Sequence, residues 1–195
     1  LSFTIISIGF SKTIVYRNKA KINDDIYVSG NLGDSYMGLL FLKNKIKLNR
    51  LLGEYFTNQY FMPNIQIKLV NKIKKIANTS IDISDGLLAD LNRMINTQKL
   101  SYKLDLKKIP ISNNLQKLLN LKKLSKIKYI SNGDDYQILF TASKNKRRII
   151  KELSSNYRIK ITQIGSIQNF DKKSLIFDEK NRAIGLKYKG YFHKF

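Results

Sequence analysis

In the run Ile81-Asp82-Ile83-Ser84-Asp85-Gly86-Leu87-Leu88-Ala89-Asp90-Leu91, two carboxylates and a hydroxyl sit where a β-branched stretch gives way to a leucine-rich one. A strand ending near Ile83 would point Asp82 and Ser84 to one face, by the strand period of two. Gly86 would let the chain turn. A helix starting at Leu87 would leave Asp85 at its N-terminus, where free amides and the positive end of the helix dipole attract anions. Two short carboxylates, a hydroxyl and free N–H groups at one junction suit a metal-bridged phosphate, because Mg²⁺ takes carboxylate oxygens at short, rigid distances. The alternative is that Ser84 or Asp85 only caps the helix.

Two further junctions carry similar chemistry. Val28-Ser29-Gly30-Asn31-Leu32-Gly33-Asp34 reads as a strand entering a helix through two glycines. It could cradle a phosphate, although no Gly-Lys-Ser/Thr follows as a Walker motif requires. Ser131-Asn132-Gly133-Asp134-Asp135-Tyr136 places adjacent carboxylates before a strand, and these repel unless a cation lies between them or one faces solvent. The alternative here is an ordinary turn. With Asp24 and Asp25, these segments hold eight of the 14 acidic residues, and all eight are Asp. Acids needed only for solubility would be scattered along helices as both Asp and Glu.

The elements that must position these residues follow from composition and periodicity. Strands are expected at 2–8, 25–29, 80–83, 102–106, 136–142, 159–164 and 174–177, each rich in Ile, Val, Tyr, Leu or Phe. Helices are expected at 34–43, 49–56, 65–78, 87–97, 113–120 and 144–154. Leu69, Val70, Ile73, Ile76 and Ala77 form one apolar stripe of the third, and Leu87, Leu88, Leu91, Met94 and Ile95 repeat that spacing in the fourth. Mixed strands and helices without an internal repeat predict an α+β or mixed α/β fold.

The 195 residues allow one full domain, or one domain with part of another. The absence of Cys removes disulfides, thiolate catalysis and zinc fingers, and a single His, His193, removes any poly-histidine metal site. Carboxylates, hydroxyls, glycines and backbone amides remain. The longest apolar run, 37–42, is far short of the roughly 20 residues that span a bilayer. The apolar opening 1–10 lacks the basic flank and cleavage site of a signal peptide. It reads instead as a strand whose partners lie upstream, so the chain is expected to be a fragment. The formal net charge of +22 has two readings, a nucleic-acid-binding module or the solvated faces of amphipathic elements. The lysines are spread along the chain and interleaved with apolar residues, and no RNA-binding aromatic motif, Gly loop or arginine run accompanies them. The second reading is preferred.

Taken together and in order, these segments resemble the thiamine-monophosphate kinase family. That family belongs to an ATP-binding superfamily with aminoimidazole ribonucleotide synthetase, selenophosphate synthetase and the hydrogenase maturation factor. Its R-S-G-A-K-x-G-D-x-I-Y-V-T-G-x-x-G-D is met by Arg17-Asn18-Lys19-Ala20-Lys21-Ile22-Asn23-Asp24-Asp25-Ile26-Tyr27-Val28-Ser29-Gly30-Asn31-Leu32-Gly33-Asp34. Its I-D-[IL]-S-D-G-L-x-x-D-L is matched throughout by 81–91, its G-G-E-D-Y-E-L loosely by 132–138, and its closing G-[YWF]-D-H-F is approached by 190–195. The resemblance implies a C-terminal domain like that of aminoimidazole ribonucleotide synthetase at 17–195, a mixed sheet packed with helices. Residues 1–16 would be the last strand and linker of an N-terminal ATP-binding domain that also forms a homodimer.

It further implies a cytoplasmic enzyme that moves a phosphoryl group from ATP to thiamine monophosphate with Mg²⁺, no general base being required. The fragment alone would be inactive. Asp82 and Asp85 would be magnesium ligands, and Arg17 and Ser84 nucleotide contacts. Asp134 would stand where a substrate-binding Glu is usual, and Tyr191 where an aromatic ring packs on thiamine. Lys19 and Asn23 replace two family glycines, and Gln66 replaces an arginine that usually follows the proline at Pro63. Another enzyme of the superfamily, acting on a different substrate with the same nucleotide machinery, is the neighbouring alternative.

Overall fold

In the computed structural model, residues 4–6, 8–171, 173–178 and 180–184 are described. The chain runs β1 (Asp25–Ser29), α1 (Asp34–Leu42), α2 (Arg50–Phe61), α3 (Ile67–Ile73), β2 (Thr79–Asp82), α4 (Leu87–Ile95), β3 (Leu100–Asp105), α5 (Asn113–Leu121), α6 (Lys126–Ile130), β4 (Ile138–Ala142), α7 (Arg147–Tyr157), β5 (Ile161–Asn169), β6 (Leu175–Phe177) and β7 (Ala183–Ile184). The seven strands form one mixed sheet in the order β2-β4-β1-β5-β3-β6-β7. Every neighbouring pair is antiparallel except β3 with β6.

Alternation along the central strand β1 divides the interior into two cores. Ile26 and Val28 point into the larger one, which takes Met37 of α1, Phe56 of α2, Leu115 of α5 and the whole apolar stripe of α4. Tyr27 points the other way and stacks on Phe140 with ring centroids 5.2 Å apart; α3 and α7 cover this smaller core through Leu69, Ile73 and Ile150. The sheet is therefore covered by helices on both faces, and β1 is buried along its whole length.

Several boundaries differ from the sequence expectation. The helix α2 runs on to Phe61 through Thr57-Asn58, weak helix formers that follow the fully buried Phe56. The helix α3 stops at Ile73, after which the chain tightens into a turn, with Ile76 N–H on the Ile73 carbonyl; Ile76 and Ala77 still pack on the smaller core. The short α6 and β7 have too few residues to show a period and were not expected. The strand expected at 2–8 is not formed among its described residues. Residues 4–6 and 8–10 enter no ladder, and Ile5, Ile6, Ile8 and Phe10 are all exposed.

Candidate functional site

The sheet order brings the three acid-bearing junctions together. Strands β1 and β2 both lie antiparallel to β4, which sits between them. The chain leaving β1 at Ser29, the chain leaving β2 at Asp82 and the chain entering β4 at Ile138 consequently meet at one end of the sheet.

Hydrogen bonds lock the middle loop to both neighbours, backbone to backbone on one side and through the Ser29 side chain on the other. Towards β2, the Ile83 N–H donates to the Gln137 carbonyl at 2.9 Å, Tyr136 N–H to the Ile83 carbonyl at 2.9 Å and Asp134 N–H to the Ser84 carbonyl at 3.0 Å. Gly133 lies so close to the Ser84 carbonyl that a Cβ there would overlap it. Gly86, at φ 108°, adopts a conformation that L side chains resist, with the Ser131 carbonyl where its Cβ would be. Towards β1, Ser29 Oγ donates to Gln137 Oε1 at 2.8 Å and accepts from the Ile138 N–H at 2.9 Å.

Neither Ser84 nor Asp85 caps α4. The buried Asp90, in the first turn of that helix, reaches back instead. Its Oδ2 accepts the N–H groups of Ser84 at 3.0 Å and Asp85 at 2.9 Å, which fixes the loop. Arg93 bridges Asp90 at 3.0 Å and also pairs with Asp85. Burial pushes the Asp90 carboxyl up, opposed by the Asp85 N–H and Arg93.

A second cap joins residues 102 positions apart. Gly33 heads α1 with no cap from a nearby side chain, and the Asp135 carboxylate accepts its N–H at 2.9 and 3.0 Å. Asp135 is buried beside Asp34, which accepts from Tyr55 at 2.9 Å and Ser112 at 2.7 Å. Both carboxyls are pushed up, chiefly by burial, and Asp135 also by the charge of Asp34. They line a polar cavity of about 110 Å³ with Gln59, Asn64, Gln66 and Gln137. Asp24 and Asp25 are buried and serve the fold. Asp24 accepts from Lys21 N–H, Asn78 and Thr141, and Asp25 holds Arg147 at 2.6 and 2.8 Å.

The remaining expected site residues are divided between two cavities that share no lining residue, so Asp82 does not open into the same cavity as Ser84 and Asp85. Ser84, Asp85 and Asp134 line one of about 690 Å³ with Tyr36, Tyr60, Tyr136, Lys43 and Lys45. Asp82 and Arg17 line another of about 450 Å³, with Ser80, Ile81 and Lys74. Thr79 Oγ1 donates to the Tyr16 carbonyl at 2.6 Å, which holds the neighbouring Arg17 beside β2. The Tyr136 hydroxyl is raised by burial and then by the charges of Asp134, Asp82 and Asp85. Asp134 is itself pushed up by burial and by Asp85. Among the described residues no three His, Cys, Asp or Glu side chains gather as a metal cage. Tyr191 and His193 lie outside the described residues.

Residues 21–178 match the AIR synthase related protein, C-terminal domain family. The chain belongs to that family. Among curated proteins it is 33% identical over 197 residues to the thiamine-monophosphate kinase of Buchnera aphidicola subsp. Acyrthosiphon pisum, covering 99% of this chain and 60% of that protein. Among solved structures, the thiamine-monophosphate kinase from Stenotrophomonas maltophilia K279a superposes with a TM-score of 0.76 at 26% identity, over 89% of this chain and 55% of that one. AaThiL complexed with AMPPCP and TMP superposes with a TM-score of 0.75 at 29% identity, over 93% of this chain and 55% of that one. The chain thus spans little more than half the length of these relatives. Within this AIR synthase related domain, Asn23 takes φ 68°, the left-handed conformation that a glycine would occupy freely and that Asn tolerates better than most residues.

Proposed function

We propose that this domain is the acceptor-side and nucleotide-contacting part of a thiamine-phosphate kinase, transferring a phosphoryl group from ATP to thiamine monophosphate to give thiamine diphosphate. The observation that carries this reading is that Ser84, Asp85, Asp134 and Tyr136 line one cavity at the end of the sheet where the three acid-bearing junctions are hydrogen-bonded together, next to the strand end that carries Asp82. The likeness to AaThiL, solved with AMPPCP and TMP, and to the Buchnera thiamine-monophosphate kinase supports it.

In this reading Asp82 and Asp85 hold Mg²⁺, Arg17 and Ser84 contact the nucleotide, and Asp134 and Tyr191 contact thiamine. The donor set fits Mg²⁺ of the phosphate-bridging kind, which uses one or two carboxylates and completes its octahedron with water and phosphate oxygens. When bound, the ion neutralises charge on the transferring group. The acceptor phosphate is already largely ionised near neutral pH, so the chain needs to supply no base. Its part is positioning. Asp90 fixes the Ser84–Asp85 backbone, Gly133 allows the 131–137 loop to close on it, and Asp135 ties that loop to α1. Such preorganisation counts because misplacing reacting groups by about 1 Å can cost two orders of magnitude in rate.

We further propose that residues 17–195 form the C-terminal domain, and that 1–16 join it to an N-terminal ATP-binding domain through which the enzyme dimerises. The test is thiamine diphosphate formation from ATP, Mg²⁺ and thiamine monophosphate. This chain fused to the N-terminal part of the Buchnera relative should turn over, and the chain alone should not. An inert fusion that is folded and dimeric would overturn the reading.

A further inference from the structure

The mixed cavity beside the acids has walls that do not follow from phosphate chemistry. Three tyrosines face it, Tyr36 from α1, Tyr60 from α2 and Tyr136 from the loop before β4. Tyr136 is held at φ 49°, a left-handed conformation that a bulky residue adopts only under constraint. The constraint is visible. Its N–H is bonded to the Ile83 carbonyl and that of Asp134, itself at φ 66°, to the Ser84 carbonyl. Strain of this kind persists where the surroundings over-determine it, and it collects at ligand sites. Its effect here is to keep a large aromatic ring 41% exposed when the residues on either side, Asp135 and Gln137, are buried.

Charge gives the cavity a direction. Asp134 and Asp85 line the cavity with Tyr136, and Asp85 is paired with Arg93, so Asp134 is the acid there that makes no ion pair among the described residues; Lys43 and Lys45, just past the C-terminus of α1, also line it and make none. A cation is repelled from the lysine end and drawn to the end where carboxylates and a ring face coincide. Aromatic faces attract cations through the ring quadrupole, most strongly where water is excluded.

We propose that Tyr136 is the stacking platform for the positively charged heteroaromatic ring of the acceptor substrate, with Asp134 as its counter-charge, and that this pair sets the preference for a cationic ring. The inference rests on the kinase reading given above and deepens it. The left-handed backbone at 134–136 positions the platform, and the lysines exclude the reversed orientation. The proposal also gives Asp134 a role that does not depend on side-chain length, since a charge beside a stacked ring acts at longer range than a hydrogen bond.

The test measures binding to the full chain by calorimetry with two probes, thiamine monophosphate and its deaza analogue, in which an uncharged thiophene replaces the thiazolium. The wild type should bind the cation about tenfold more tightly than the neutral analogue. Tyr136→Phe should keep that ratio, because the ring remains. Tyr136→Gly relieves the left-handed strain, so its melting temperature should hold or rise while the ratio falls towards one. Equal binding of the two probes by the wild type, or an unchanged ratio in Tyr136→Gly, would overturn the proposal while leaving the kinase reading intact. Binding of neither probe would overturn both.

Discussion

Asp82 and Asp90 show how similar carboxylates, eight residues apart, come to do different things. Asp90 is buried with its oxygens committed to two N–H groups and Arg93, whereas Asp82 is exposed at the end of an edge strand. An exposed acid without such commitments contributes only about 0.5 kcal/mol or less to stability. If the proposed kinase reading holds, Asp82→Asn should leave the denaturation midpoint nearly unchanged while lowering that activity of the full-length protein by orders of magnitude, and retained activity would remove Asp82 from the proposed metal ligands. The Asp34–Asp135 pair makes the opposite prediction. Both carboxyls are raised by burial, and Asp135 also by its neighbour's charge, so the folded state holds protons that the unfolded state releases. The folded pKa being the higher, this contribution to stability is full below the ordinary Asp range near 4 and is lost as pH rises above it. Asp34→Asn removes one of the two charges. Urea titrations between pH 4 and 8 should show a smaller fall in stability with rising pH for the variant than for the wild type. Parallel curves would mean that the pair does not titrate in that interval.

At the scale of elements, the site depends on three loops closing on one another, and Gly133 is where the closure is tightest. A Cβ there overlaps the Ser84 carbonyl, a backbone atom that cannot swing aside as a side-chain tip can. Gly133→Ala should cost about 1–3 kcal/mol, as overpacking does, and should raise the KM for substrate through displacement of Asp85 and Asp134. A variant with wild-type stability and KM would show that the loops are free to separate. Much of this arrangement was legible in the sequence. The strand at Asp25–Ser29, the apolar stripe of α4 and the three Asp-bearing junctions are local patterns, written within a dozen residues each. The two caps were not legible in the same way. Asp90 reads as one more helix acid until its backward bonds to Ser84 and Asp85 are seen, and Asp135 serves a helix 102 residues away. The sheet order was hidden for the same reason. That β4 inserts between β1 and β2 is a fact of tertiary pairing, and it is this insertion that turns three separate motifs into one site.

At the scale of the whole molecule, 36 basic residues face 14 acidic ones, and five of the acids, Asp24, Asp25, Asp34, Asp90 and Asp135, are buried. The outer surface is thus more one-sided than the total implies. Lysines and arginines lie on both faces of the sheet, with Lys72 and Arg148 on one side and Lys117 and Lys128 on the other. Like charges distributed in this way repel each other across the folded molecule more than along an expanded chain, which destabilises the compact state. Salt weakens that repulsion, since the screening length falls from about 30 Å at 0.01 M to about 3 Å at 1 M. Salt also weakens the exposed pairs Arg50–Glu54 and Arg148–Glu152, each worth only about 0.3–0.5 kcal/mol. Even with Lys108–Asp105 and Arg182–Asp178 added, a few such pairs cannot offset a surplus of 22 charges. The melting temperature should therefore rise as NaCl is raised from 0.01 to about 0.5 M. Chloride is the appropriate anion, because sulfate would strengthen apolar burial independently. A melting temperature that falls with NaCl would mean that local ion pairs outweigh the global repulsion. The same distribution argues against a nucleic-acid groove. Binding to DNA should be sequence-independent and should fall steeply with salt, as expected when counterion release alone drives it. DNA binding that persisted at 0.5 M NaCl would require a focused contact surface that these scattered lysines do not form.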